Sequence, residues 1–241
     1  MAYGDTVGSC AIGVQIDHLD GRPISRNFHR VGFPSILEWI LNRSLLRPFW
    51  RGLARGLGRH CPRRLTSSLH LENITEINQP IRVERISGCF FLLSRSTFDS
   101  LGLFDLNYFL YVEVIDYLRL MKRASLPVYY CPSMRVFHLG GASSRHRELI
   151  GRQHNLSYLY YYNKWHGTMY TTTLCALMCF DLSVRYVINT LGRGRAGLLK
   201  HMTRASLWDD LAFWGGCLRS GRFEIYPRLT LPGDRSSGLE G

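Results

Sequence analysis

Apolar and polar positions along this chain change period several times, and the changes mark out alternating strands and helices. Residues 7 to 16, VGSCAIGVQI, predict a strand that closes at Asp20-Gly21, where glycine supplies the positive φ of a turn. After a loop with Pro23 and Pro34, helical spacing begins in SILEWILNRSLLRPFWRGLARGLGRHCPRR, with Ser35 as N-cap and Glu38 as its capping-box partner. IRVERISGCFFLL (81 to 93) reads as a strand with a fully buried end, and Ser96 to Leu101 as a short helix stopping near Gly102. YFLYVEVIDYLRLMKRA is helical and ends before Pro127, VYYCP predicts the next strand, and RVFHLGG predicts another strand with a glycine turn.

The last third is helical and aromatic. Residues 146 to 166, HRELIGRQHNLSYLYYYNKWH, predict a helix for which Gly167 is the stop. In TMYTTTLCALMCFDLSVRYVINTL the uninterrupted apolar run ends at Asp181, short of the roughly 20 residues that a bilayer span needs. A core or interfacial helix is therefore preferred to a membrane span. The amphipathic segment LLKHMTRASLWDDLAFWGGCLRSGRF places Trp208, Phe213 and Trp214 either at a membrane boundary or in a core, and the final PGDRSSGLEG reads as a loose tail. Strand and helix alternate without an internal repeat, so the predicted fold class is α/β.

Composition narrows the partners more than the fold. The 241 residues suffice for one large or two small domains, and 46% apolar content favours a packed core over disorder. Net charge is +12, and 27 of the 30 cations are arginine, whose planar fork suits phosphates. The expected partner is anionic: nucleic acid, an anionic lipid surface or a phosphorylated small molecule. Arg43, Arg47, Arg51, Arg55, Arg59 and Arg63 recur every fourth residue among Leu45, Leu46, Phe49, Trp50, Leu53 and Leu57. That composition suits an interfacial helix on lipid, and equally a helix packed on its own domain. Nucleic acid is disfavoured because no recognised binding motif accompanies the charge. Seven cysteines without a CxxC pair read as buried thiols in a reducing, cytoplasmic setting, and the N-terminus lacks the pattern of a secretory signal.

Candidate chemistry concentrates between Ser87 and Arg145. Asp105, then Glu113 with Asp116, then His138 followed by Gly140, Gly141, Ser143 and Arg145 alternate with apolar runs. Carboxylates with an imidazole suit a metal site or an acid/base pair, and a glycine turn lets backbone N–H groups approach a phosphate.

This segment, SGCFFLLSRSTFDSLGLFDLNYFLYVEVID to ASLPVYYCPSMRVFHLGGASSR, resembles the second half of the catalytic domain of family 2 glycosyltransferases, in particular rhamnosyltransferase-like enzymes of bacterial cell-surface polysaccharide synthesis. The matching features are Ser87, Gly88, Arg95, Phe98, Phe104, Asp105, Phe109, Tyr111, Glu113, Asp116, Pro132, His138, Gly140, Gly141 and Ser143, within a resemblance spanning about residues 5 to 167. It implies a partial GT-A domain over 1–167, within which 35–64 reads from its own pattern as a basic amphipathic insertion, and the amphipathic helices of 168–241 read as a membrane-associated tail. It further implies a nucleotide-sugar donor, a lipid-linked or polysaccharide acceptor, and Mg²⁺ or Mn²⁺ as the divalent metal. The protein is then expected in the cytoplasm, peripheral on the inner face of the cytoplasmic membrane.

By position, Glu113 and Asp116 fall at the catalytic carboxylates, and Gly88, Asp105, Gly140, Gly141, Ser143 and Arg145 at substrate-binding positions. His138 falls at the metal or diphosphate. Two residues depart from the pattern: Val114 stands where the family has the aspartate base, and Arg85 replaces an aromatic three residues before the glycine. In the family the nucleotide-binding half, with its aspartate-x-aspartate motif, precedes the matching region, so a GT-A domain lacking that half is expected here. A non-catalytic remnant or membrane-surface interaction protein is the alternative expectation.

Overall fold

The computed structural model describes residues 8–24, 28–30, 32–62, 69, 77–108, 111–139, 147–191, 204–221 and 223. Strand β1 (Ala11–Asp17) is buried along its whole length. It lies inside a four-stranded mixed sheet of order β3-β6-β1-β5, formed with β3 (Ile81–Val83), β5 (Phe91–Leu93) and β6 (Val128–Phe137). β6 runs parallel to β1, and β5 antiparallel to it. A two-stranded ribbon pairs β2 (Phe28–His29) with β4 (Arg85–Ile86).

β6 merges the two strands that the sequence predicts separately. Val14 pairs with Cys131 and Gln15 with Arg135, so Pro132, Ser133 and Met134 bulge out of the ladder. Pro132 lacks an amide hydrogen, and a bulge is where an inner strand tolerates that. Beyond the bulge the pairing continues until the His138 amide donates to Asp17 O at 2.9 Å, which fixes His138 at the end of the sheet. Buried polar groups pair here: Gln15 Nε2 donates to Asp17 Oδ1 at 2.7 Å, and the hydroxyl of Tyr130 on β6 donates to Gln15 Oε1.

Helix α1 (Ile36–Asn42) is capped by Ser35, whose Oγ accepts from the Glu38 amide at 3.1 Å. Glu38 itself takes Nη2 of Arg85 at 3.0 Å, in a pair almost closed to solvent. The predicted long helix breaks at 43–46 and restarts as α2 (Arg47–Leu57) with Pro48 in its first turn, where the missing amide has no helical partner to lose. α3 (Arg95–Leu101) is capped by Ser94 and stops at Gly102, whose φ of 77° is left-handed.

Helix α4 (Glu113–Arg123) packs Val114, Tyr117, Leu118 and Met121 on Val83, Ile86, Val128 and Tyr130 to form the main core. α5 (Arg147–His166) and α6 (Thr168–Thr190) meet at Gly167, with φ 83°, and α7 (Arg204–Ser220) packs on α6. α6 alone among the described residues is long and apolar enough to cross a membrane. Its two charges hold the α1–α2 joint instead: Asp181 accepts the Leu45 amide at 2.9 Å, and Arg185 donates to Arg43 O at 2.7 Å and to Asp181 at 2.6 Å. The seven cysteines are free thiols, and burial pushes Cys175 up to about 12.

β1 and the β2–β4 ribbon approach closely at Gly13, where an added Cβ would lie 2.6 Å from Ile86 Cγ2 and 2.7 Å from Ile86 Cβ. Gly13→Ala is therefore expected to destabilise the fold by about 1–3 kcal/mol. Gly56→Ala, inside α2 with open space around it, is expected to gain about 0.5–1 kcal/mol, and urea unfolding of both variants checks the pair.

Candidate functional site

A cleft of about 640 Å³ lies where the β4–β5 connection, the start of α4, helix α1 and the C-terminal helices converge. Gly88, Glu113 and His138 all line it, although 25 residues separate each neighbouring pair in sequence. Its apolar side includes Leu174 and Met178 from α6 and Trp214 from α7.

Glu113 owes its place to an unusual helix start. Tyr111 and Val112 both adopt left-handed backbone, with φ of 61° and 67°. For a β-branched residue such as Val112 this is a strained conformation, costing on the order of 1–3 kcal/mol. Val112 is nonetheless the N-cap, and its carbonyl accepts the Asp116 amide at 2.8 Å. The reversal makes Glu113 the first helical residue, so α4 begins five residues later than YFLYVEVID predicts. There the helix dipole favours a carboxylate, and Oε2 of Glu113 is buried with no hydrogen-bond partner.

Gly88 is needed beside this helix start. A Cβ on it would meet Val114 Cγ2 at 3.0 Å, so glycine lets the β4–β5 connection close on the first turn of α4. Val114 is 8% exposed and belongs to the main core. It packs and carries no proton.

Asp116 and Asp105 are bonded to side chains that do not line the cleft. Asp116 is 1% exposed; Lys164 Nζ donates to its Oδ2 at 2.7 Å, while Trp165 Nε1 and the Tyr108 hydroxyl donate to Oδ1 at 2.6 and 3.1 Å. Lys164 also reaches Asp105 Oδ2 at 2.8 Å, joined there by the Tyr160 hydroxyl at 3.0 Å. Burial pushes Asp105 up, but Lys164, the Asn107 amide and Tyr160 outweigh it and hold the carboxyl below its usual range. Burial, then the Asp116 charge, raises the Tyr108 phenol far above its ordinary value. Neither aspartate lines the cleft; both tie α4 and the preceding loop to α5. Gly140, Gly141, Ser143 and Arg145 lie outside the described residues.

Several cleft residues gave no separate signal in the sequence. His154 stands edge-on to the rings of Tyr111 and Tyr158, and burial, then the Arg43 charge, lowers it to about 4. It is therefore a neutral imidazole at pH 7. Arg43 lies 5.2 Å over the Tyr158 ring. With Arg85 engaged by Glu38, Arg43 and Glu113 are the cation and the carboxylate of this cleft without an ion-pair partner among the described residues. A guanidinium and a carboxylate without a hydrogen-bond partner on Oε2 thus line the same cleft.

No three His, Cys, Asp or Glu side chains gather to hold an ion among the described residues. Glu113 and His138 share the cleft with His29, Glu38 and His154, of which Glu38 is taken up by Arg85.

Set against known proteins, the chain matches no protein-family description, no curated protein and no solved structure. The likeness of Ser87–Arg145 to glycosyltransferases therefore rests on its motifs.

Asp116→Ala is expected to lower stability by about 3–5 kcal/mol, because Lys164 loses its most buried partner and Trp165 an acceptor. Glu113→Gln is expected to stay within about 1 kcal/mol of the parent, having no partner to lose. Thermal unfolding of the two variants separates the anchor from the open carboxylate.

Proposed function

We propose that this protein is a GT-A-like glycosyltransferase of cell-surface glycan synthesis. It moves a sugar from a nucleotide-sugar donor to a hydroxyl of a lipid-linked or polysaccharide acceptor. Rhamnose is the donor sugar that the resemblance suggests. The observation that carries the reading is the meeting of Gly88, Glu113 and His138, three positions of the sequence motif, in one cleft of about 640 Å³.

In this reading the open carboxylate of Glu113 accepts the proton of the acceptor hydroxyl as its oxygen attacks the anomeric carbon. The bond from that carbon to the diphosphate breaks, and the nucleoside diphosphate leaves with the electron pair. Arg43 stands ready to offset the charge that accumulates on the diphosphate, while His154, neutral at pH 7, donates or accepts a hydrogen bond without adding charge. Gly88 keeps the sugar side of the cleft open. A divalent ion accompanying the donor would supply further charge neutralisation.

One observation favours the alternative of a non-catalytic remnant. Val114 sits in the core where the family carries its base, so transfer rests on Glu113 acting from a neighbouring position.

Incubation with a radiolabelled nucleotide-rhamnose and a bacterial lipid-linked acceptor fraction tests both readings. Transfer of label to the acceptor, lowered about 10²- to 10⁴-fold in kcat by Glu113→Gln with a little-changed KM, is the expected result. Absence of transfer together with calorimetric binding of nucleoside diphosphate weaker than micromolar would establish the remnant. Transfer unaffected by Glu113→Gln would remove Glu113 as the base.

A further inference from the structure

Helix α2 turns its apolar side away from the protein. Leu46 at its N-cap, Phe49, Leu53 and Leu57 are 54%, 61%, 43% and 41% exposed, and only Ala54 of the helix is buried. Spacings of three, four and four residues place those four side chains on one face. An amphipathic helix of a soluble domain ordinarily buries that face against its own core. Here that face opens outward, while the neighbouring side of the helix packs Trp50 and Ala54 with Leu41, Cys61 and Leu69.

The polar residues of the same helix fix the chemistry of what covers the stripe. α2 contains Arg47, Arg51 and Arg55 and no acidic residue, in a chain of net charge +12. Duplex nucleic acid would engage the arginines and leave Phe49 and Leu53 in water. A second copy of the chain would bring one arginine row against another around the apolar contact. An anionic bilayer satisfies both features, because acyl chains take the stripe and phosphate headgroups take the exposed Arg55 guanidinium, while Arg51 Nη1 donates to Leu69 O at 3.3 Å.

We propose that α2 is a docking helix that lays Leu46, Phe49, Leu53 and Leu57 into the headgroup boundary of an anionic lipid bilayer. The short joint at 43–46 links the docked helix to α1, whose Glu38, Trp39 and Asn42 line the cleft. Docking therefore sets the cleft beside the bilayer surface. The contact is independent of the transfer chemistry, so either proposal survives failure of the other.

The test is flotation of the full chain with vesicles of phosphatidylcholine alone and of phosphatidylcholine mixed with phosphatidylglycerol. The protein is expected to float with the anionic vesicles, to stay behind with the neutral ones, and to release as salt is raised. Phe49→Ser with Leu53→Ser is expected to lower partitioning about tenfold or more, and Arg55→Gln about fivefold. Far-UV circular dichroism checks that the variants fold, and Arg55→Gln, at an exposed position, keeps the test decisive if the double variant does not. No flotation with anionic vesicles, or flotation unchanged by these substitutions, overturns the proposal. A dimer in sedimentation velocity that the double variant dissolves would assign the stripe to a second copy and also overturn it.

Discussion

The Asp116 carboxylate fixes this structure. It is nearly closed to solvent, and it gathers Lys164, Trp165 and the Tyr108 hydroxyl at 2.7, 2.6 and 3.1 Å. A carboxylate so buried is tolerable only with a cation and further donors, and each of these donors lies on a different stretch of chain or a different side of α5. Through them α4 cannot turn or slide against α5. Asp105 on the same lysine holds the loop that leads into α4. Arg119, 4.6 Å over Trp165 and bonded to Tyr161, repeats the tie one helical turn further along α4.

That clamp gives meaning to the strained start of α4. Glu113 precedes Asp116 by three residues, close to one helical turn, so fixing one carboxylate fixes the direction of the other. Left-handed backbone at Tyr111 and Val112 persists because Val112 is buried in the aromatic cluster of α5 and Asp116 is anchored below it. Strain kept in this way at the edge of a cleft is a mark of pre-organisation. The two acidic residues of the motif thus divide the work: Asp116 positions, and Glu113 is left open. Val114 between them completes the core and makes room for nothing larger than glycine at position 88.

Local signals made much of this legible in the sequence. Ser35 and the stops at Gly102 and Gly167 depend on residues a few positions apart, and each occurs as the pattern indicates. Properties set by distant partners were not legible. Lys164 lies 48 residues from Asp116, so nothing in EVID distinguishes an anchoring aspartate from an open glutamate. The break at 43–46 depends on Asp181 and Arg185 of α6, and the single strand β6 depends on a bulge that absorbs Pro132. Glu38 fits a capping box by spacing, yet its carboxylate serves Arg85, a partner 47 residues away. Arg43 and His154 enter the cleft only when α1 and α5 are packed together. The α/β class was readable from alternation alone, because the order of strands and helices survives these local surprises.

The two proposals join at α1. One of its sides lines the cleft, its C-terminal end leads into the exposed helix, and the buried charges of α6 hold the joint between them. A cleft with an apolar wall beside a bilayer suits a substrate with a lipid end and a phosphate or sugar end. All of this depends on the cleft that opens on Glu113 being the place where substrate binds. Hydrogen exchange with and without a nucleotide sugar reads that binding at the residues themselves. Slower exchange is expected at the amides of residues 86–89 and 112–115, with the buried strand β1 unchanged. Unchanged exchange in both segments, or protection confined to residues away from the cleft, would refute it.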